Sequence, residues 1–373
     1  MTPDNCVEIK RILSRQCADK GIPVSGIFEL TPRCNLRCKM CYVRLTPEQM
    51  KPIGTELTAA EWIELGRQCA DAGLLFLLLT GGEPTLRTDF PLIYEELTKL
   101  GLSLSINTNG TLLTDEIKEL WHRLPPAQVN ITIYGVCPED YEALCGDGSA
   151  FDRMVQNLQW LRSEGILVHL NTTMTPTNKN KWRELEDFAA NHDTQLRMTS
   201  YCFPPTRRAE GDSCSDFQRL TPEETARVMA LDILYREGTE GINARLRSQL
   251  PAVQRSCDLD VGDPIQCLAG RSQFWVNWHG ELTPCGMIST PRTNLRDTDF
   301  AKAWETLRTS CSQIRLCPDC INCEDKNVCM NCAAVTFSET GRFDGKPHYM
   351  CRLAACFKET LREISQTSDK SPE

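Results

Sequence analysis

From residue 26 to about residue 200 the chain alternates short apolar runs with stretches of helical period, and this alternation limits the fold more than any other feature. Strand-like runs fall near 26–31, 74–79, 102–107, 129–134, 166–172 and 195–200, with 3.6-residue patterns near 58–72, 89–100, 114–123, 150–164 and 179–192 between them. Six βα units in succession predict an α/β fold, an open or partial (β/α)6 TIM-like barrel with its chemistry at the C-terminal strand ends. Thr58 with Glu61 reads as a capping box, Gly73 as a helix C-cap, and Thr221 with Glu224 as the start of a further helix. A chain of 373 residues that is 41% hydrophobic buries a large core and is not disordered. The net charge of −9 lacks a basic footprint for nucleic acid. No apolar run is long enough to cross a membrane, so the expectation is a soluble, cytoplasmic protein.

Beyond Ser256 the character changes: residues 257 to 356 hold eleven cysteines, and "FWVNWHGELTPC" reads as a hairpin turning at His279-Gly280. The expected division is a helical lead-in over 1–25, the barrel over 26–220 and a helical connector over 221–256. A small cysteine-rich α+β domain with a β-hairpin follows over 257–360, and a disordered tail over 361–373.

Twenty-one cysteines in a reducing compartment point to metal ligation before disulfides. "TPRCNLRCKMCYVR" places Cys34, Cys38 and Cys41 directly after the first strand. Three thiolates on a [4Fe-4S] cube leave one iron open for a substrate or cofactor, whereas structural zinc would need a remote fourth ligand. The bare spacing leaves both open. The second strand ends in Gly81-Gly82-Glu83-Pro84, where glycines let backbone approach a ligand and the carboxylate can accept from an ammonium group. The third ends in Asn107-Thr108-Asn109-Gly110, groups suited to ribose hydroxyls, although a plain Asn-Gly turn is the bland alternative. The fourth adds Thr132 and Gly135 at a similar level.

Taken in this order, the motifs resemble those of the radical S-adenosylmethionine (SAM) enzymes. The resemblance implies a partial barrel, a SAM-binding [4Fe-4S] cluster on Cys34, Cys38 and Cys41, and SAM contacts among Gly81, Gly82, Glu83, Pro84, Asn107, Thr108, Asn109, Thr132 and Asn171. It further implies reductive cleavage of SAM to a 5'-deoxyadenosyl radical that abstracts hydrogen from a substrate. Met40 stands where relatives often carry an aromatic residue. Leu144 and Cys145 stand about where relatives carry an arginine for the SAM carboxylate, so that partner is unassigned.

The later cysteines resemble the SPASM extension of that family, which implies two auxiliary [4Fe-4S] clusters and three clusters in all. Cys267, Cys285 and Cys332 would serve the first, with Cys257 a candidate fourth ligand, and Cys320, Cys323, Cys329 and Cys351 the second. Cys317 competes with Cys320. Only two residues separate Cys329 from Cys332, where the family pattern has three. The implied activity is oxidative modification of a ribosomally made peptide or protein, such as a thioether, C–C or C–O cross-link. An external electron donor such as flavodoxin or ferredoxin, and a separate leader-binding protein, are the implied partners. Other readings are formylglycine formation of the anaerobic sulfatase-maturase kind, small-molecule radical oxidation, and a non-catalytic iron-sulfur electron carrier. Gly286 stands where the sulfatase maturases carry an aspartate. Arg207-Arg208 would be a candidate clamp for a carboxylate.

Overall fold

A computed structural model describes residues 3–203, 218–247, 262, 264–265 and 267–368, the side chains of 3–8 and 368 excepted. In chain order it runs α1 (Pro3–Lys20), β1 (Ser25–Glu29), α2 (Pro47–Met50), α3 (Ala59–Asp71), β2 (Phe76–Thr80), α4 (Phe90–Lys99), β3 (Ser103–Thr108), α5 (Asp115–Arg123), β4 (Gln128–Thr132), α6 (Pro138–Cys145), α7 (Ala150–Ser163), β5 (Val168–Thr173), α8 (Trp182–Asn191) and β6 (Gln195–Thr199). After α9 (Pro222–Arg247) come β7 (Gln273–Val276), β8 (Glu281–Thr283), β9 (Thr293–Asn294), α10 (Phe300–Ser312), α11 (Ala333–Thr340) and α12 (His348–Ser368).

The six βα units are present, and β1 to β6 lie side by side in sequence order with parallel pairing throughout. The helices begin where the sequence says they should. Thr58 and Glu61 cap α3 reciprocally, and Thr221 exchanges hydrogen bonds with Glu224 at the start of α9. One sheet face packs under the helices: Leu104, Ile106, Ile131, Leu170 and Leu196 share one core with Ile117, Leu158, Leu161 and Leu185. The alternate residues form the inner face.

The cysteine-rich region does not stand apart from this sheet. β7 pairs parallel to β1, matching Ile27 with Trp275, and the hairpin of β7 and β8 then adds β9. Nine strands in the order β6-β5-β4-β3-β2-β1-β7-β8-β9 form one sheet. Trp275 Nε1 donates to Glu29 Oε2 across the junction at 3.0 Å.

Residues 361–368, expected to belong to a disordered tail, are the last turns of α12. Met350, Leu353, Phe357 and Leu361 form its apolar stripe, and this packs on Ala226, Ala230 and Ile242 of α9 as a second core. Burial of the stripe stabilises a helix end whose sequence is otherwise polar. Among the described residues, no helix is long and apolar enough to cross a membrane.

Candidate active site and cysteine cavities

The loop that carries Cys34, Cys38 and Cys41 is held on two sides by backbone and at its entry by side chains. From β2, Gly82 N donates to Thr31 O at 2.7 Å and Glu83 N to Arg33 O at 2.9 Å. A Cβ on Gly81 would stand 2.4 Å from Thr31 O, and one on Gly82 would stand 2.3 Å from Arg33 O. The paired glycines therefore let the cysteine loop approach, where the sequence suggests room for a ligand. From the end of α6, Cys145 O accepts from Arg37 N at 2.9 Å and Leu144 O from Lys39 N at 3.0 Å. At the loop's entry, buried Arg87 donates to Leu30 O at 2.9 Å and Leu57 O at 3.1 Å, and Glu56 pairs with Arg33 and Arg87.

Inside this frame N–H groups point at sulfur. Leu36 N donates to Cys34 Sγ at 3.4 Å, Arg44 N to Cys41 Sγ at 3.3 Å, and Asn109 Nδ2 reaches Cys34 Sγ at 3.7 Å. The Tyr134 hydroxyl and the Cys145 thiol both stand beside the Cys38 side chain, and Cys145 Sγ donates to Tyr141 O at 3.0 Å. Burial pushes the Cys34 thiol up to about 12, and the nearby Glu83 carboxylate adds to the shift. Such donors suit thiolates bound to a cluster, whose properties depend on hydrogen bonds to sulfur. Three thiols with sulfur-directed donors fit the cysteine ligation of a [4Fe-4S] cube.

Glu83 is fully buried, and its carboxylate is occupied by its own chain. Oε1 accepts from Thr85 Oγ1 at 2.7 Å and Thr108 Oγ1 at 2.8 Å, and Oε2 from Asn109 N at 2.7 Å. Burial pushes this carboxyl upward, and the four donors, Thr85 N included, act against the rise. Glu83 thus joins the ends of β2 and β3. Asn109 also donates to Asn35 Oδ1 at 2.8 Å, tying the third strand end to the cysteine loop. Asn107 Oδ1 accepts from Asn130 Nδ2 at 2.8 Å. Pro84 begins the short buried turn after Glu83. The expected ribose contacts Asn107, Thr108 and Asn109 are accordingly engaged in bracing the strand ends. Thr132 and Asn171, register partners on the inner face, have side chains free of hydrogen bonds among the described residues.

The later cysteines gather around two cavities. Cys267, Cys285 and Cys332 line one of about 690 Å³ together with Arg11 and Arg15 of α1. Cys320, Cys323, Cys329 and Cys351 line a second of about 610 Å³, and Cys267 and Cys332 stand on its wall as well. The two sets interleave in sequence and in space share Cys267 and Cys332, while Cys285 lines only the first cavity and Cys320, Cys323, Cys329 and Cys351 only the second. Met287 N donates to Cys285 Sγ at 3.4 Å, again a donor aimed at sulfur. Cys317 is buried beside Cys320 and Cys351 and does not line the second cavity. Cys257, Arg207 and Arg208 lie outside the described residues. Among the described residues, no three His, Cys, Asp or Glu side chains converge on a point that a single metal ion could occupy. A cube bound through separate irons asks for no such convergence.

Sequence reading missed Tyr134, Arg87 and Glu56 as parts of the cysteine-loop frame. Tyr134 could have been found from its place just past the fourth strand. Arg87 and Glu56 carry no motif, and only burial reveals them.

Residues 28–189 match the family profile of the radical SAM superfamily, so this span of the chain is a radical SAM domain. An AdoMet-dependent heme synthase of Methanosarcina barkeri is 27% identical over 333 residues, covering 85% of this chain and 93% of the relative. A PqqA peptide cyclase of Rhizobium meliloti is 29% identical over 167 residues, 45% of this chain and 44% of the relative. Among solved structures, native anSMEcpe with bound AdoMet superposes with a TM-score of 0.69 at 16% identity, over 94% of this chain and 100% of that one. Streptococcus suis SuiB bound to precursor peptide SuiA gives 0.65 at 16% identity, over 94% and 81%. These likenesses establish the partial-barrel fold. The domain is that of radical SAM enzymes, which implies SAM and a [4Fe-4S] cluster as cofactors.

Proposed function

We propose that this enzyme oxidatively modifies a peptide or protein, using the SAM-binding cluster and two auxiliary [4Fe-4S] clusters. The observation that carries the reading is the gathering of the later cysteines around two cavities, Cys285 lining only the first, Cys320, Cys323, Cys329 and Cys351 only the second, and Cys267 and Cys332 both. When bound, SAM and the reduced cluster supply the hydrogen-abstracting radical, which is the cofactors' own chemistry. The chain positions and excludes water. Cys34, Cys38 and Cys41 hold the cluster, Gly81, Gly82 and Glu83 fix the loop, and Thr132 and Asn171 offer free polar groups to the ligand from the inner face.

Removal of hydrogen followed by bond formation is an oxidation by two electrons, so the second electron needs an acceptor. Two further clusters suit that need, and the peptide-acting relative supports a peptide substrate. A second reading, a step in heme synthesis, is favoured by the heme synthase match over 85% of this chain. An external donor such as a flavodoxin or ferredoxin would supply the first electron. The N-terminal helical lead-in, barrel, connector and cysteine-rich domain are proposed as working divisions of this one sheet.

The test is anaerobic reconstitution followed by iron and sulfide analysis and an assay of 5'-deoxyadenosine from SAM and dithionite. About twelve irons per chain with SAM cleavage support the reading. Zinc at the later cysteines, or full cluster loading without cleavage, would overturn it.

A further inference from the structure

Helix α1 forms part of the wall of the first cysteine cavity and brings charge to it. Arg11 and Arg15, four residues apart and therefore on one side of the helix, line that cavity with Asp19, and Arg271 reaches it from the turn before β7. Three of these four charged groups are cations, and the acid, Asp19, stands 3.3 Å from Arg271. In a chain of net charge −9 this wall is a local cationic surface. Arg11 and Arg15 are exposed, and Ile9 and Ile12 beside them are 48% and 47% exposed. Apolar side chains set among charged ones at the surface have the make-up of an interface core with its polar rim.

The second cavity differs. There Lys346 pairs with Asp319 at 3.1 Å, Asp325 with Lys358 at 2.8 Å, and Lys326 donates to Ile321 O at 2.9 Å. The place of the first cavity in the fold also matters. β7 runs parallel to β1, and β8 returns antiparallel to β7, matching Thr283 with Trp275. Cys267, before β7, and Cys285, after β8, therefore stand toward the N-terminal end of β1, whereas Cys34, Cys38 and Cys41 follow its C-terminal end. A partner seated on α1 leaves the C-terminal strand ends open to substrate.

We propose that this face of α1, with Arg11 and Arg15 around Ile12, docks an acidic one-electron carrier protein over the first cysteine cavity. The carrier takes up the electron that oxidation of the substrate leaves on the cluster proposed there. One electron passes from cluster to carrier; where the carrier is a flavodoxin, its flavin also gains one proton from water, and no other bond forms or breaks. Opposite charge speeds the encounter and orients the pair, and salt weakens both effects. The inference deepens the proposed oxidative reading and rests on it.

The test uses the anaerobically reconstituted holoenzyme, reduced with dithionite and freed of it, and oxidised flavodoxin. Flavodoxin binding is titrated, and electron transfer is followed by stopped flow as the flavin semiquinone appears. Both are expected to weaken about tenfold between low salt and about 0.5 M salt, and about tenfold in R11E/R15E at low salt. Oxidation by 1,4-benzoquinone, a small neutral acceptor, should be unchanged in that variant, and R123E on α5 should behave as the unaltered protein does. Thermal melting and iron content establish that each variant is folded and loaded, and R15Q, with a smaller expected loss, replaces R11E/R15E if the double variant does not fold. Salt-independent transfer, or binding and transfer unchanged in R11E/R15E, would overturn the docking surface. Salt-dependent binding that R11E/R15E abolishes, in a protein that holds only about four irons, would keep the surface and overturn the auxiliary-cluster reading.

Discussion

Gly82 shows how a single residue can set the geometry of the cysteine loop. Its missing Cβ leaves room for Arg33 O, a backbone atom that cannot rotate away, and its N–H holds Thr31 O. Gly82→Ala must therefore displace the segment directly before Cys34. The expected cost is about 1–3 kcal/mol, the range for overpacking a filled site. Iron bound by the first three cysteines should fall, with loss of 5'-deoxyadenosine formation, as measured by iron content and product assay. Unchanged iron and unchanged cleavage would show that the loop tolerates the shift. The motif was legible in the sequence, but its physical reason was not. Two glycines before a glutamate read equally well as ligand space or backbone contact, and only the position of residues 31–33 decides.

At the scale of elements, the second core of α9 and α12 carries the argument. Met350, Leu353, Phe357, Leu361 and Ile364 recur at helical spacing, so the periodicity was present in the sequence. The polar run after Leu361 nevertheless concealed the helix, because its apolar positions thin out where only one face is covered. Leu361 is fully buried in that core. Leu361→Ala should cost about 2–5 kcal/mol through lost transfer energy and the cavity left behind. The melting temperature should fall by several degrees. Because Cys351 is on the same helix, iron in the second cavity should become more readily extracted by a chelator. An unchanged melting temperature would mean that the end of α12 is not part of the cooperative core.

On the scale of the whole molecule, the parallel pairing of β7 with β1 joins two regions that the sequence presents as separate. Local patterns give the strands and the hairpin, but carry no information on which strand of the barrel the hairpin extends. Cys285 follows β8 at the sheet junction, while Cys351 rides on α12, and the two thiols fall in different cavities. Cys285→Ser and Cys351→Ser should each remove iron equivalent to about one cube, roughly four of twelve, from different sites. Electron paramagnetic resonance of the reduced proteins should then lose a different signal in each variant, and the double variant should lose both. SAM cleavage should survive in all three, because Cys34, Cys38 and Cys41 lie across the sheet, while product formation that needs the electron acceptor should stop. Loss of the same signal in both single variants would assign the two cavities to one shared cluster. Cys267 and Cys332, which line both cavities, would then be the residues that join them.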